Sequence, residues 1–186
     1  MNVITIDLEL NQPSRKIIQL GYAINNSKNG KLIMSQSWYV DPKEPIDSFI
    51  TGLTGIKDRD VIGAGNLYHA YSNMVDDITK HQTAKFPLQW GLDHYELRTE
   101  LDIPWDEYVF ARRAIDVKAL YQAYAMARPQ GKTVAGLSKA LSVLGLEFIG
   151  SPHDAMDDAV NTFRAFKALT DKMVKYDEIT KAVKRG

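Results

Sequence analysis

The sequence predicts an α/β fold: a mixed β-sheet with helices packed on it. Three observations predict it. Apolar runs at Val3 to Leu8, Lys16 to Ile24 and Leu32 to Val40 are joined by links too short for a crossover helix, so they form an antiparallel meander. Beyond Pro45 helical periodicity alternates with short apolar runs, which adds strands through helices. The length of 186 residues, with 45% apolar and 25% charged side chains, suits one domain over 1–186 with a sizeable core.

The first strand, Val3 to Leu8, runs into acidic residues. The second, Lys16 to Ile24, is mostly apolar. Asn25 to Gly30 is a turn cluster in which Asn29-Gly30 favours positive φ, and Leu32 to Val40 returns as the third strand. Asp41-Pro-Lys-Glu-Pro45 ends it, because proline removes ladder donors. Leu67, Tyr71, Met74, Val75 and Ile78 then share one helical face. Phe86 to Trp90 reads as a short buried strand stopped by Gly91, and Asp93 to Leu101 as a helix. Val109 to Ile115 is a weaker strand, interrupted by Arg112 and Arg113. Val117, Leu120, Tyr121 and Tyr124 mark a further helix, broken at Gly131. Thr133 to Leu144 is another, closed by Gly145. Ala155, Ala159, Thr162, Phe163, Phe166, Leu169 and Met173 lie along a long final helix, which the tail from Asp171 to Gly186 continues.

Composition removes several function classes. With 12 glycines and 7 prolines the chain is neither collagen-like nor low-complexity. The lack of cysteine excludes a disulfide scaffold, a thiolate zinc site and a cysteine nucleophile. Lys plus Arg and Asp plus Glu both number 23, so composition argues against a strongly basic, charge-driven coat on duplex or membrane. A nucleic-acid enzyme is left open, provided its contacts are local or mediated by metal ions. No run approaches the ~18 apolar residues of a membrane span, and the N-terminus has no basic signal region. A soluble, cytoplasmic protein without membrane contact is the expectation.

Three short segments could carry chemistry. Asp7-Leu-Glu9 lies in a strand, so Asp7 and Glu9 point the same way while Ile4, Ile6, Leu8 and Leu10 occupy the other face. Two carboxylates on one buried face repel and resist desolvation, and a divalent cation would relieve both; an edge strand facing water would relieve them equally well. In Ser151-Pro-His-Asp-Ala-Met-Asp-Asp158, Asp154, Asp157 and Asp158 open the final helix, where its dipole favours acids. Asp158 also shares a face with Ala155 and Thr162 near the apolar stripe, and His153 precedes it. In Trp90-Gly-Leu-Asp93 the acid is either a helix N-cap or a metal ligand. Together these segments supply a carboxylate cluster of the kind two ions ~3.5–4 Å apart require, and one titratable base.

These residues resemble the DEDDh (DnaQ-like) 3′→5′ exonucleases. Ile6-Asp-Leu-Glu9 and Ile17-Ile-Gln-Leu-Gly21 match the first motif, and Leu53-Thr-Gly-Ile56 matches the segment after the third strand. Ala114-Ile-Asp116 with Leu120 matches the strand-to-helix element, and His153-x-Ala-x-x-Asp-Ala159 the third motif. The elements stand in family order over residues 3 to 166. The second motif departs from the usual G-H-N-x-x-F-D and resembles the W-G-x-x-D-like form of a branch with RNA-trimming members.

The resemblance implies an RNase H-like mixed sheet, three antiparallel strands then two parallel, flanked by helices. It implies that Asp7, Glu9, Asp93 and Asp158 hold two Mg²⁺ or Mn²⁺ ions. His153 would be the general base, and Glu9 would also sit near the 3′-terminal sugar. The backbone after Glu9, at Leu10 and Asn11, would approach the terminal nucleotide, and Thr54 and Trp90 would meet its sugar or base; for Trp90, core packing is the competing role. Arg112, Arg113 and Lys118 would meet phosphates or form a solvated face. The implied activity is 3′→5′ exonucleolytic release of nucleoside 5′-monophosphates from single-stranded DNA or RNA with a free 3′ end. An exoribonuclease for short oligoribonucleotides or RNA 3′ ends, and a non-catalytic nucleic-acid-binding module, are the alternatives. Monomer and homodimer are both compatible with the sequence.

Overall fold

The computed structural model describes residues 1–128 and 136–183, with side chains described through Lys175. The predicted helix start at Thr133 and the break at Gly131 lie outside these residues, as do the last three residues of the tail.

β1 (Asn2–Leu10), β2 (Ile17–Asn26) and β3 (Leu32–Tyr39) form the antiparallel meander. β4 (Leu88–Gln89) pairs with β1 in parallel, and β5 (Ile115–Asp116) pairs with β4 in parallel. The five-stranded order is β3-β2-β1-β4-β5. β1 is therefore the central strand, and its acidic face meets no open sheet edge.

The helices are α1 (Ser48–Thr54), α2 (Asp58–Val61), α3 (Leu67–Lys80), α4 (Asp93–Leu101), α5 (Val117–Met126), α6 (Leu137–Leu144) and α7 (Ala155–Val183). The alternation of β1 divides the core. Ile4, Ile6 and Leu8 join residues of α3 and α4 and the aromatic rings of Tyr108 and Phe110 on one face. Val3 and Leu88 join α5, α6 and α7 through Tyr121, Leu141 and Phe163 on the other. A small third cluster seats α1 and α2 on Ile18 of β2.

The structure corrects two expectations and adds two short helices. The run Val109 to Ile115 is a strand only at its end. The Val109 N–H donates to the Tyr71 hydroxyl at 2.8 Å and that of Ala111 to the Lys85 carbonyl at 2.8 Å, so these donors are spent on a loop and a side chain rather than a ladder. Phe86, placed in the β4 run, is 52% exposed, and pairing is confined to Leu88 and Gln89. α1 and α2 are too short, at 7 and 4 residues, to leave a periodic signal. Their ends are set locally: Asp47 accepts from the Phe49 N–H, and Gly55 closes α1 at φ 79.

Candidate active site

Sheet, helix and loop converge on a cleft of about 560 Å³. Asp7, Glu9, Asp93, His153 and Asp158 all line it. Trp90 borders it too, and Lys118, Ser138 and Lys139 line it beside the acids.

Asp7 and Glu9 are 9% and 8% exposed, on the α7 side of β1. They stand in register with Gly21 and Gln19 of β2. At Gly21 the first turn of α7 rests on the sheet itself: a Cβ there would lie 2.1 Å from the Ala155 carbonyl carbon. Only glycine permits this approach, and it brings the start of α7 down onto the strand carrying the acids.

Asp93 is the first residue of α4, not its cap. The cap is supplied by Gln89, whose Oε1 accepts from the His94 N–H at 2.7 Å while its Nε2 donates to the Gly91 carbonyl at 2.6 Å. Gln89 thus fixes the turn after β4 and leaves the Asp93 carboxylate to face the cleft, where the nearby Leu8 backbone favours its charged form.

The last element is the turn before α7. His153 has φ 65, in the left-handed region, which histidine enters more readily than most residues. Its N–H donates to Asp158 Oδ2 at 3.3 Å. Asp154 caps α7 through Oδ1, which accepts from Met156 and Asp157 N–H at 3.1 Å each. Asp157 Oδ2 accepts from the Ser151 N–H at 2.8 Å. Asp154 and Asp157 are therefore helix-start acids. Asn161, fully buried, donates to the Ile149 carbonyl at 2.8 Å and accepts its N–H at 3.1 Å, tying the loop down one turn further along.

The carboxylates repel one another in a desolvated place, and their protonation shows it. Burial pushes Glu9 up to about 8, with Asp158, Asp93 and Asp154 adding in the same direction. Burial pushes Asp93 up to about 7 against its backbone donors, and Asp158 up to about 6 against the His153 N–H. Asp7 is raised well above the carboxylate range by burial, then by Asp93, Asp158 and Glu9. None of these acids has an ion-pair partner among the described residues. Glu9, His153 and Asp158 each place a ligand atom within 4.8 Å of the others. Clustered carboxylates without an ion-pair partner among the described residues fit a divalent ion of the Mg²⁺ or Mn²⁺ type.

The nucleotide-contacting residues expected from the sequence divide. Trp90 is half-buried and lines the cleft, tilted against Tyr121 with ring centroids 6.0 Å apart. The Leu10 side chain packs on the α3 and α4 core as that of Leu8 does, and Leu8 also borders the cleft between Asp7 and Glu9. Asn11 and Thr54 do not line it. The Asn11 amide donates to Glu44 Oε1 at 2.8 Å and the Pro45 carbonyl at 3.0 Å, and its oxygen accepts from Asp47 N–H at 2.8 Å. Thr54 Oγ1 donates to the Ile50 carbonyl at 2.9 Å and accepts from Ile56 N–H at 3.0 Å, closing α1. Of the candidate cations, Lys118 borders the cleft; Arg112 and Arg113 do not. Sequence reasoning gave Gln19 no role beyond its place in the Ile17-Ile-Gln-Leu-Gly21 match, and it missed Gln89, Ser138 and Lys139. Only Gln19 left a signal, its place two residues before a glycine on a strand registered against Asp7-x-Glu9.

Comparison with known proteins agrees with this geometry. The sequence model of the exonuclease family RNase_T matches residues 4–166. Human "ERI1 exoribonuclease 2" is 28% identical over 87% of this chain, and the Xenopus laevis protein of that name 29% identical over 91%. The chain spans only 26% and 27% of their lengths. Among solved structures, the nuclease domain of 3′hExo, a DEDDh family member bound to rAMP, superposes with a TM-score of 0.76 at 19% identity, covering 92% of both chains. Escherichia coli exonuclease I in complex with a dA16 oligonucleotide gives 0.72 at 16% identity over 94% of this chain and 42% of that one. At these identities the likeness is one of fold.

Proposed function

The chain belongs to the RNase_T exonuclease family, and from that premise we propose that it is a metal-dependent 3′→5′ exoribonuclease acting on single-stranded RNA ends. The observation that carries this is the convergence of Asp7, Glu9, Asp93, Asp158 and His153 on one cleft, in a desolvated cluster whose acids have no ion-pair partner among the described residues. RNA is preferred over DNA because the curated relatives are named exoribonucleases.

Asp7, Glu9, Asp93 and Asp158 would hold the ions, and bound divalent cations supply charge to a scissile phosphate and its leaving 3′-oxygen. His153, exposed at the cleft mouth, is placed to take a proton from the attacking water. Trp90 offers an aromatic surface beside the acids, and base stacking on such a ring is indifferent to base identity. Lys118 and Lys139 supply cations for the phosphates of the entering strand. With so few cations at the cleft, a short contacted stretch of single strand suits the site better than a long duplex.

The test is a 3′-end degradation assay on 5′-labelled RNA and DNA of equal sequence, with Mg²⁺ or Mn²⁺, beside His153→Ala. A 3′-shortening ladder that is stronger on RNA, removed by EDTA and lost in the variant is the expected result. A ladder stronger on DNA overturns the substrate preference. Folded protein that shortens neither strand under either metal, yet binds them, is a binding module.

A further inference from the structure

The two halves of the site come from chain segments far apart. Asp7 and Glu9 ride on β1, and His153 and Asp158 belong to the turn and first helical turn at α7. Most bonds that hold the His153 turn come from α7 itself, through Asp157, Asp158 and Asn161. They shape the turn but do not tie it to the strand. Gln19 does. It is 1% exposed and sits in register with Glu9. Its Nε2 donates to Asp154 Oδ2 at 3.0 Å and its Oε1 accepts from the Ala155 N–H at 3.1 Å. Both ends of one amide thus grip the residues immediately after His153, across 135 and 136 positions of sequence. Gly21, two residues on, sets the contact distance by presenting no Cβ.

We propose that Gln19 is a positioning residue, a latch from sheet to helix that sets His153 and Asp158 at working distance from Asp7 and Glu9. The amide is suited to this by carrying donors at one end and an acceptor at the other: one N–H of Nε2 serves Asp154 while Nε2 also lies 3.4 Å from Ser37 Oγ, and Oε1 serves the Ala155 N–H. A carboxylate at 19 would repel Asp154, and an apolar side chain would leave a half-buried acceptor and the buried Ala155 N–H unmet. Residues that orient ligands in this way carry about 10–100-fold of affinity or activity at metal sites.

This inference rests on the exonuclease reading, and the experiment separates the two. Wild type, Gln19→Ala, Gln19→Glu, Asp154→Asn and the double variant Gln19→Glu with Asp154→Asn are compared at a temperature where circular dichroism shows all folded. Calorimetric Mn²⁺ titration is run beside single-turnover cleavage of a labelled oligoribonucleotide. In the double variant the amide and carboxylate exchange places, so the pair is restored with its donor reversed. Asparagine also keeps the oxygen that caps α7.

Each single variant should bind Mn²⁺ about tenfold more weakly and cleave about 10–100-fold more slowly, with KM changed far less. The double variant should regain most of both losses. General destabilisation would not yield such a regain. Wild-type Mn²⁺ affinity and cleavage rate in Gln19→Ala, or a folded double variant as impaired as the singles, overturn the latch. Wild-type protein that binds Mn²⁺ without cleaving RNA or DNA overturns the exonuclease reading, while the titrations still judge the latch.

Discussion

The two faces of β1 are built from alternate residues of one strand and behave oppositely. Ile4, Ile6 and Leu8 enter a dry core where His94 packs among Trp105, Tyr108 and Phe110. Asp7 and Glu9, between and beyond them, are pushed toward protonation by burial first and by the neighbouring acids Asp93 and Asp158 second. The first face stabilises the strand by burying apolar area; the second strains it by burying like charges. A central strand tolerates the second because the first anchors it and because β2 and β4 satisfy its backbone on either side. The difference teaches that activity and stability are separable here by parity of residue number.

Substitutions on the two faces should break or sharpen that contrast. The largest effect is Asp7→Asn. It should lower single-turnover cleavage by about a thousandfold or more, since several kcal/mol of charge stabilisation depend on metal binding. In EDTA its melting temperature should rise above wild type, because a buried like charge is gone; a fall would mean that Asp7 stabilises the metal-free fold.

Next is Ile6→Ala on the opposite face. A buried isoleucine cut to alanine costs about 2–5 kcal/mol, read by urea titration. Cleavage per folded molecule should stay within a few-fold of wild type. A cleavage loss rivalling that of Asp7→Asn would show the faces to be coupled.

The pH dependence of the metal-free protein is smaller and specific to the acid face. Glu9, Asp93 and Asp158 titrate near 8, 7 and 6 when folded, above the ordinary range near 4 that they regain on unfolding. The folded state therefore holds more protons between these limits, so its stability falls as pH rises from about 4 to about 8. The melting temperature in EDTA should decline across that window, and saturating Mg²⁺ or Mn²⁺ should flatten the decline. Identical slopes with and without metal would remove the acids as its ligands.

The smallest effect is Lys139→Ala at the cleft margin. KM for a short oligoribonucleotide should rise a few-fold with kcat unchanged, and the salt dependence of binding should lose about one unit of slope. An unchanged slope would take Lys139 off the strand path.

The sequence by itself determined what depends on neighbours along the chain. The period of two in β1 put Asp7 and Glu9 on one side and the isoleucines on the other. The start of α4 followed from Gly91 and the acid at Asp93, and the start of α7 from its acids and apolar stripe. The family match followed from the order of its motifs. The tertiary structure decided what depends on pairing across long separations. Strand order put β1 at the centre, which no local pattern states. Gln89 took over the capping of α4 and freed Asp93. Asn11 and Thr54 were engaged in holding loops, and Val109 and Ala111 gave their N–H groups to partners outside any ladder. Gln19 found Asp154 and Ala155 across more than a hundred residues. Periodicity and capping are written in residues a few positions apart, whereas a side-chain amide discloses its partner only when the sheet and the helix have met.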